Sequence, residues 1–151
     1  MTEGRAVFID TNVLVYAAVE DSPFHRLACQ AFEACAASSA PFWISRQVLR
    51  EYMAVMTRPA PDIPAIPMDT AINQVLHFQS RFRIAEDGPA CTEILLSLFQ
   101  KVPFAGKQIH DANIVATALA YGIPRILTNN AADFDRFSSL IEIVPLNTCG
   151  P

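Results

Sequence analysis

Asp10, Glu51, Asp111 and Asp133 are the residues whose types and settings in this chain could do chemistry. Asp10 closes the apolar run RAVFID (residues 5–10) and is followed by Thr11 and Asn12. Asp111 stands in a helical segment in line with Val115 and Ala118. An acid on such a stripe must be paired, capped or metal-bound, because an isolated buried charge is very costly. Glu51 lies three residues after Val48 and four before Val55, at the border of another apolar stripe, and Asp133 falls in the polar stretch NNAADF (129–134). Each acid has an ordinary explanation taken singly. Asp10 could cap a helix, Asp111 could face a helix dipole, Glu51 could pair with an arginine in solvent, and Asp133 could serve a turn. Gathered, they would repel one another without metal, which is what metal-assisted phosphodiester hydrolysis requires. Hard divalent ions such as Mg²⁺ or Mn²⁺ take carboxylates and water as ligands. They activate a water and neutralise charge on the phosphorane-like transition state.

The elements that must position these acids follow from apolar periodicity and breakers. Strands are expected at 5–10, 42–44, 82–85, 125–128 and 141–144. Helices are expected at 13–19, from Asp21-Ser22-Pro23 to about 36, at 46–57 behind a Ser45 cap, and from Asp69 to about 82. Two more cover 89–100 and 109–121, the latter stopping at Gly122. Pro59, Pro61, Pro64 and Pro67 enforce a loop, and 129–135 reads as a polar turn. Alternating strands and helices predict an α/β domain over residues 1–151, with a mainly parallel sheet and helices on both faces. Sites in such sheets lie at the carboxyl ends of strands. Asp10 ends the first strand, and 129–133 follow the penultimate one.

Composition sets the bounds. The chain has 151 residues, 52% of them hydrophobic and 17% charged, enough apolar surface to offset the ordering entropy of one domain. Cys29, Cys35, Cys91 and Cys149 show no C-x-x-C spacing and read as reduced thiols in a cytoplasmic protein. His25, His77 and His110 show no ligand spacing. No apolar run reaches the ~18–20 residues needed to span a bilayer, and the N-terminus does not read as a signal peptide. The net charge of −4 argues mildly against a non-specific nucleic-acid coat. Were four of the 15 acids metal ligands, however, the remaining 11 would match the 11 bases.

VFIDTNVL (7–14), Glu51-Tyr52, Ile109-His110-Asp111-Ala112 and LTNNAADF (127–134) together resemble the motifs of PIN-domain ribonucleases, and more narrowly the VapC-type toxins of toxin–antitoxin pairs. The resemblance spans nearly the whole chain. It implies a three-layer α/β/α sandwich with Mg²⁺ or Mn²⁺ in an acidic cleft. It further implies RNA cleavage by water, homodimerisation, and a small VapB-type antitoxin that blocks the cleft. Asp10, Glu51, Asp111 and Asp133 would be the metal-binding acids. Thr11 and Thr128 would orient waters or neighbouring acids, and Asn129 would position the last motif. The chain departs from many relatives at Asn129 and Asn130, where an acid is usual, which leaves the fourth ligand to Asp133 and puts a fully occupied second metal site in question.

Arg46 and Arg50, on the helix of Glu51, and Arg58 at its end are candidates to grip RNA phosphates, against the alternative of solvated surface arginines. Phe42 and Trp43 are core candidates. The stripe Ile94, Leu95, Leu98 and Phe99 reads as core, with a dimer interface as the lesser alternative. A haloacid-dehalogenase-like phosphatase needs an acid where Asn12 stands, and a phospho-receiver domain needs an acidic pair and a strand-end lysine that the chain lacks. The remaining rival is a catalytically silent PIN fold that binds protein or RNA.

Overall fold

The computed structural model describes residues 5–61 and 63–148. Cys149 lies outside the described residues, while Cys29 and Cys91 are free thiols. The strands are β1 (Val7–Ile9), β2 (Phe42–Ser45), β3 (Arg83–Ala85), β4 (Arg125–Thr128) and β5 (Glu142–Pro145). They form one parallel sheet in the order β3-β2-β1-β4-β5. The helices among the described residues are α1 (Thr11–Ala18), α2 (His25–Ala37), α3 (Arg46–Met56), α4 (Met68–Arg81), α5 (Pro89–Lys101), α6 (Gln108–Ala120) and α7 (Ala131–Phe134). None of them is long and apolar enough to cross a membrane.

Strand order dictates where a site can form. The chain moves outward from β1 to β2 and β3, then returns to β4 on the other side of β1. Right-handed crossovers place α1–α4 on one face of the sheet and α5–α6 on the other, giving the three-layer α/β/α sandwich. The direction reverses between β1 and β4, and a crevice opens there at the carboxyl ends of the strands. Asp10 follows β1 directly and donates its backbone N–H to the Leu127 carbonyl (3.0 Å), so the ends of the two strands are locked together.

The central strands are apolar because both their faces are covered. Phe8, Ile9, Ile44, Ile126 and Leu127 are fully buried. Helix α6 is buried over most of its surface at Ala112 and Ile114–Ala118, where alanines allow close approach to its neighbours. On the opposite face Phe32, Phe42, Phe78 and Phe82 form a cluster with ring centroids 5.4–6.0 Å apart. Tyr52 meets Phe78 edge-on and donates its hydroxyl to Gln74 Oε1 (2.7 Å), tying α3 to α4.

Several sequence expectations are corrected. Helix α2 starts at His25 rather than around Asp21–Pro23, because Ser22 forms a turn instead: its Oγ accepts from Phe24 N–H and its carbonyl from His25 N–H. The polar segment after β4 is not a simple turn. It folds into α7 and a 3₁₀ turn (Asp135–Phe137) because Phe134 and Phe137 both insert into the core. The stripe on α5 is only partly core, since Leu98 is buried while Phe99 is 41% exposed and stacks on Phe104.

Gly122 ends α6 at φ +67°. Its N–H bonds the Leu119 carbonyl and the Ile123 N–H bonds the Ala118 carbonyl, which closes the helix. An added Cβ would meet nothing within 4 Å, so a substitution there costs only the left-handed backbone conformation. Gly122→Ala is therefore expected to destabilise the fold by about 1–2 kcal/mol, and Gly122→Asn by less, because Asn tolerates this conformation. Thermal unfolding of the two variants checks the order.

Candidate active site

Three of the four acids come together at the strand reversal, each for a local reason. Asp10 leaves β1 in an extended conformation and caps α1, its Oδ1 accepting the Thr11 N–H (2.8 Å). Its Oδ2 accepts from the Thr128 hydroxyl at the end of β4 (2.7 Å) and from the Asn12 amide (3.2 Å). Glu51 reaches in from α3, a helix fixed at its start by Ser45 Oγ accepting the Val48 N–H. Its Oε2 accepts from the Thr11 hydroxyl and its Oε1 from the Gln47 amide, both at 2.8 Å. Asp111 arrives on the first turn of α6, half-buried. All three line one open cleft of about 450 Å³, together with Thr11, Asn12, Asn130 and Arg58. Tyr16, Val55 and Ile63 also line it.

Asp133 is placed differently. It is exposed on α7 and does not line the cleft, although its charge bears on Asp111. Asn129 acts through its backbone, donating its N–H to Asn12 Oδ1 (3.2 Å). Asn130, not Asn129, reaches the cleft, and its N–H is accepted by the Thr128 hydroxyl (3.0 Å), the group that itself donates to Asp10. Arg46 is turned away, held by both Glu86 carboxylate oxygens and by Gln79. Arg50 is exposed and off the cleft, so of the three arginines only Arg58 lines it. Sequence reading missed Gln47, Asn113 and Asn130. Gln47 had a usable signal: a polar residue four positions before Glu51 falls on the same inward helix face.

Neutral groups hold Asp10 and Glu51. Every hydrogen bond to Asp10 and Glu51 among the described residues comes from a neutral donor. The ion pairs Arg5–Glu142 and Arg46–Glu86 lie elsewhere. Burial pushes the Asp10 carboxyl up to about 6, against the pull of Thr128 and Thr11, and the charges of Glu51 and Asp111 push the same way. Asp111 also rises to about 6, through burial and then the charges of Asp133 and Glu51, with Arg136 and His110 opposing. Among the described residues no three His, Cys, Asp or Glu side chains close directly on one point. The all-oxygen donor set nevertheless fits a hard cation such as Mg²⁺, which keeps several waters and takes one or two carboxylates.

The sequence matches the PIN domain over residues 7–140. The chain belongs to the PIN domain family. Solved structures agree on the fold. VapC20 of Mycobacterium tuberculosis, a sarcin–ricin-loop-cleaving toxin, is 15% identical with a TM-score of 0.65, over 90% of this chain and 96% of that one. A toxin–antitoxin complex from Klebsiella pneumoniae matches at 23% identity and a TM-score of 0.64, covering 93% and 97% of the two chains. VapBC2 from Rickettsia felis, bound to a promoter DNA fragment, is 26% identical with a TM-score of 0.57, over 91% and 98%. A comparison with curated protein sequences finds no match. In this PIN domain the acidic cleft occupies the strand reversal between β1 and β4.

Both raised carboxyls carry a stability consequence. An acid whose native pKa lies above its unfolded value of about 3.9 binds more protons when folded, so stability is highest at low pH. It falls as pH rises from about 4 to about 6 and stays lower above that. Chelator-treated Asp10→Asn should therefore melt higher than chelator-treated wild type at pH 7, by about 3 °C for each kcal/mol of strain relieved. The gap should close as the pH approaches 4. Calorimetric scans of both proteins across this range provide the check.

Proposed function

We propose that this PIN domain is a Mg²⁺- or Mn²⁺-dependent endoribonuclease and the toxin of a VapBC-type pair. The observation that carries the reading is the convergence of Asp10, Glu51 and Asp111 on one cleft, where the hydrogen bonds to Asp10 and Glu51 come from neutral donors and no ion pair forms among the described residues. Such a cluster is costly unless a cation completes it. Asp10, Glu51 and Asp111 would hold the cation, with Asp133 adding negative charge from the rim. A divalent ion bound there supplies charge neutralisation at the scissile phosphate and an activated water.

The chain's own groups do the positioning. Thr128 and the Thr11 N–H fix both oxygens of Asp10, and the Thr11 hydroxyl fixes Glu51, so none of these carboxylates has to reorganise when substrate arrives. Arg58 stands on the cleft wall where it can pair with a backbone phosphate of RNA.

Two partners belong to the reading. An acidic cleft invites a cationic plug. Beside it an apolar groove of about 400 Å³, lined by Leu14, Ala17, Phe32, Phe42, Phe78 and Phe82, fits apolar anchors of a small VapB-type antitoxin. The toxin–antitoxin relatives from K. pneumoniae and R. felis support such a partner. The reading takes the protein to be cytoplasmic and homodimeric, as the family resemblance implies.

Purified protein should cleave RNA in Mg²⁺ or Mn²⁺ and stop in EDTA. Asp10→Asn and Asp111→Asn should each lower cleavage by at least about 100-fold, the scale of losing a preorganised electrostatic group. Asp133→Asn should lose less, because Asp133 is exposed and off the cleft. Cleavage that survives in EDTA, or in both cleft variants, would contradict the reading. A folded wild type that cleaves nothing would favour a silent binding module.

A further inference from the structure

Gln47 is 6% exposed on α3, and both ends of its amide are engaged. Its Nε2 donates to Glu51 Oε1 (2.8 Å) and to the His110 carbonyl (3.0 Å), and its Oε1 accepts from Asn113 Nδ2 (2.8 Å). Asn113 Nδ2 also reaches Asp87 Oδ2 (3.2 Å), in the loop after β3.

The consequences are geometric. His110 immediately precedes Asp111, so one neutral side chain joins a carboxylate of the cleft to the backbone carrying another. Among the described residues the side-chain hydrogen bonds between α3 and α6 all run through Gln47, and the two helices sit on opposite sides of the sheet reversal. A side-chain amide can sit either way round, and only one orientation puts N–H groups on Glu51 and on the His110 carbonyl. Asn113, as a donor to Oε1, selects that orientation. Because the amide is neutral, it orients Glu51 without cancelling the charge that a cation needs. An arginine or lysine in its place would occupy the cleft's own role.

We propose that Gln47, oriented by Asn113, is a positioning residue that sets the separation and orientation of Glu51 and Asp111 for divalent-cation binding. The proposal deepens the reading of the cleft as a cation site and rests on it. Groups that hold metal ligands in place typically contribute 10–100-fold in affinity or activity.

The test combines a metal-free and a metal-bound measurement on the full chain. In ¹H–¹⁵N spectra of chelator-treated protein, the two Gln47 side-chain amide protons should be separately resolved and slow to exchange, and Asn113→Ala should speed that exchange. Mn²⁺ alone, titrated with free ion followed by electron paramagnetic resonance, should then bind Gln47→Met and Gln47→Glu about tenfold or more weakly than wild type. Gln47→Glu keeps size and the acceptor for Asn113 but loses both donors. In RNA cleavage the loss should fall on kcat, with KM for RNA within about twofold. A residue that merely supported the fold would lower the melting temperature and leave Mn²⁺ affinity of the folded protein unchanged. Asn113→Ala, which leaves Gln47 in place, is expected to bind Mn²⁺ three- to tenfold more weakly and serves if the Gln47 variants do not fold. Wild-type Mn²⁺ affinity in the folded variants, or solvent-like exchange of the Gln47 amide, overturns the proposal. A wild type that binds no Mn²⁺ overturns the cation reading instead, and the amide exchange still decides whether Gln47 is held.

Discussion

A carboxylate removed from water must be given hydrogen bonds or a counter-charge, and Asp10 is given only the first. At 6% exposure it is fixed by a backbone N–H, a hydroxyl and an amide, each from a different constraint of the fold. The Thr11 N–H exists as a free donor because α1 begins there. The Thr128 hydroxyl is in reach because β4 lies beside β1 in register, Ile9 opposite Leu127. Asn12 in turn accepts the Asn129 N–H, so the segment after β4 is hung from the segment after β1. The parallel sheet, the reversal of strand order and the start of α1 thus all serve the setting of one side chain.

From that point the acidic cluster extends by neutral contacts. Thr11 passes from Asp10 to Glu51, Gln47 from Glu51 to the α6 backbone, and Asp111 stands at the next residue. Arg136 opposes the rise at Asp111 through its charge, without an ion pair to it among the described residues. A protein selected only for stability would gain by replacing these acids with amides, since repulsion and burial both oppose their ionisation. On the proposed function this cost falls at the site that does the chemistry, where folds commonly carry such strain.

Much of this was legible in the sequence because the fold's rules are local. A short apolar run ending at an acid, followed by Thr-Asn, located β1, the cap of α1 and Asp10 together. The apolar span 125–128 reads as a strand, and the structure has β4 over those residues. Gly122 marked the end of α6 through its backbone conformation. What was not legible depended on contacts between distant segments. The residues after β4 look like a polar turn because the burial of Phe134 and Phe137 cannot be seen from their polar neighbours. Arg46 looked available beside Glu51, yet Glu86, forty residues away, takes its guanidinium. Gln47 went unnoticed for the same reason: its partner His110 is 63 residues on.

On the proposed function, Asp10, Glu51 and Asp111 build a divalent-cation site in the cleft between β1, α3 and α6. Crystals of the protein soaked in Mn²⁺ and measured near the manganese absorption edge test it most directly. An anomalous peak is expected inside the cleft, contacted by these carboxylates directly or through one water, and absent from Asp10→Asn crystals treated alike. A cleft without a peak at saturating Mn²⁺, or a peak undiminished in Asp10→Asn, would contradict it.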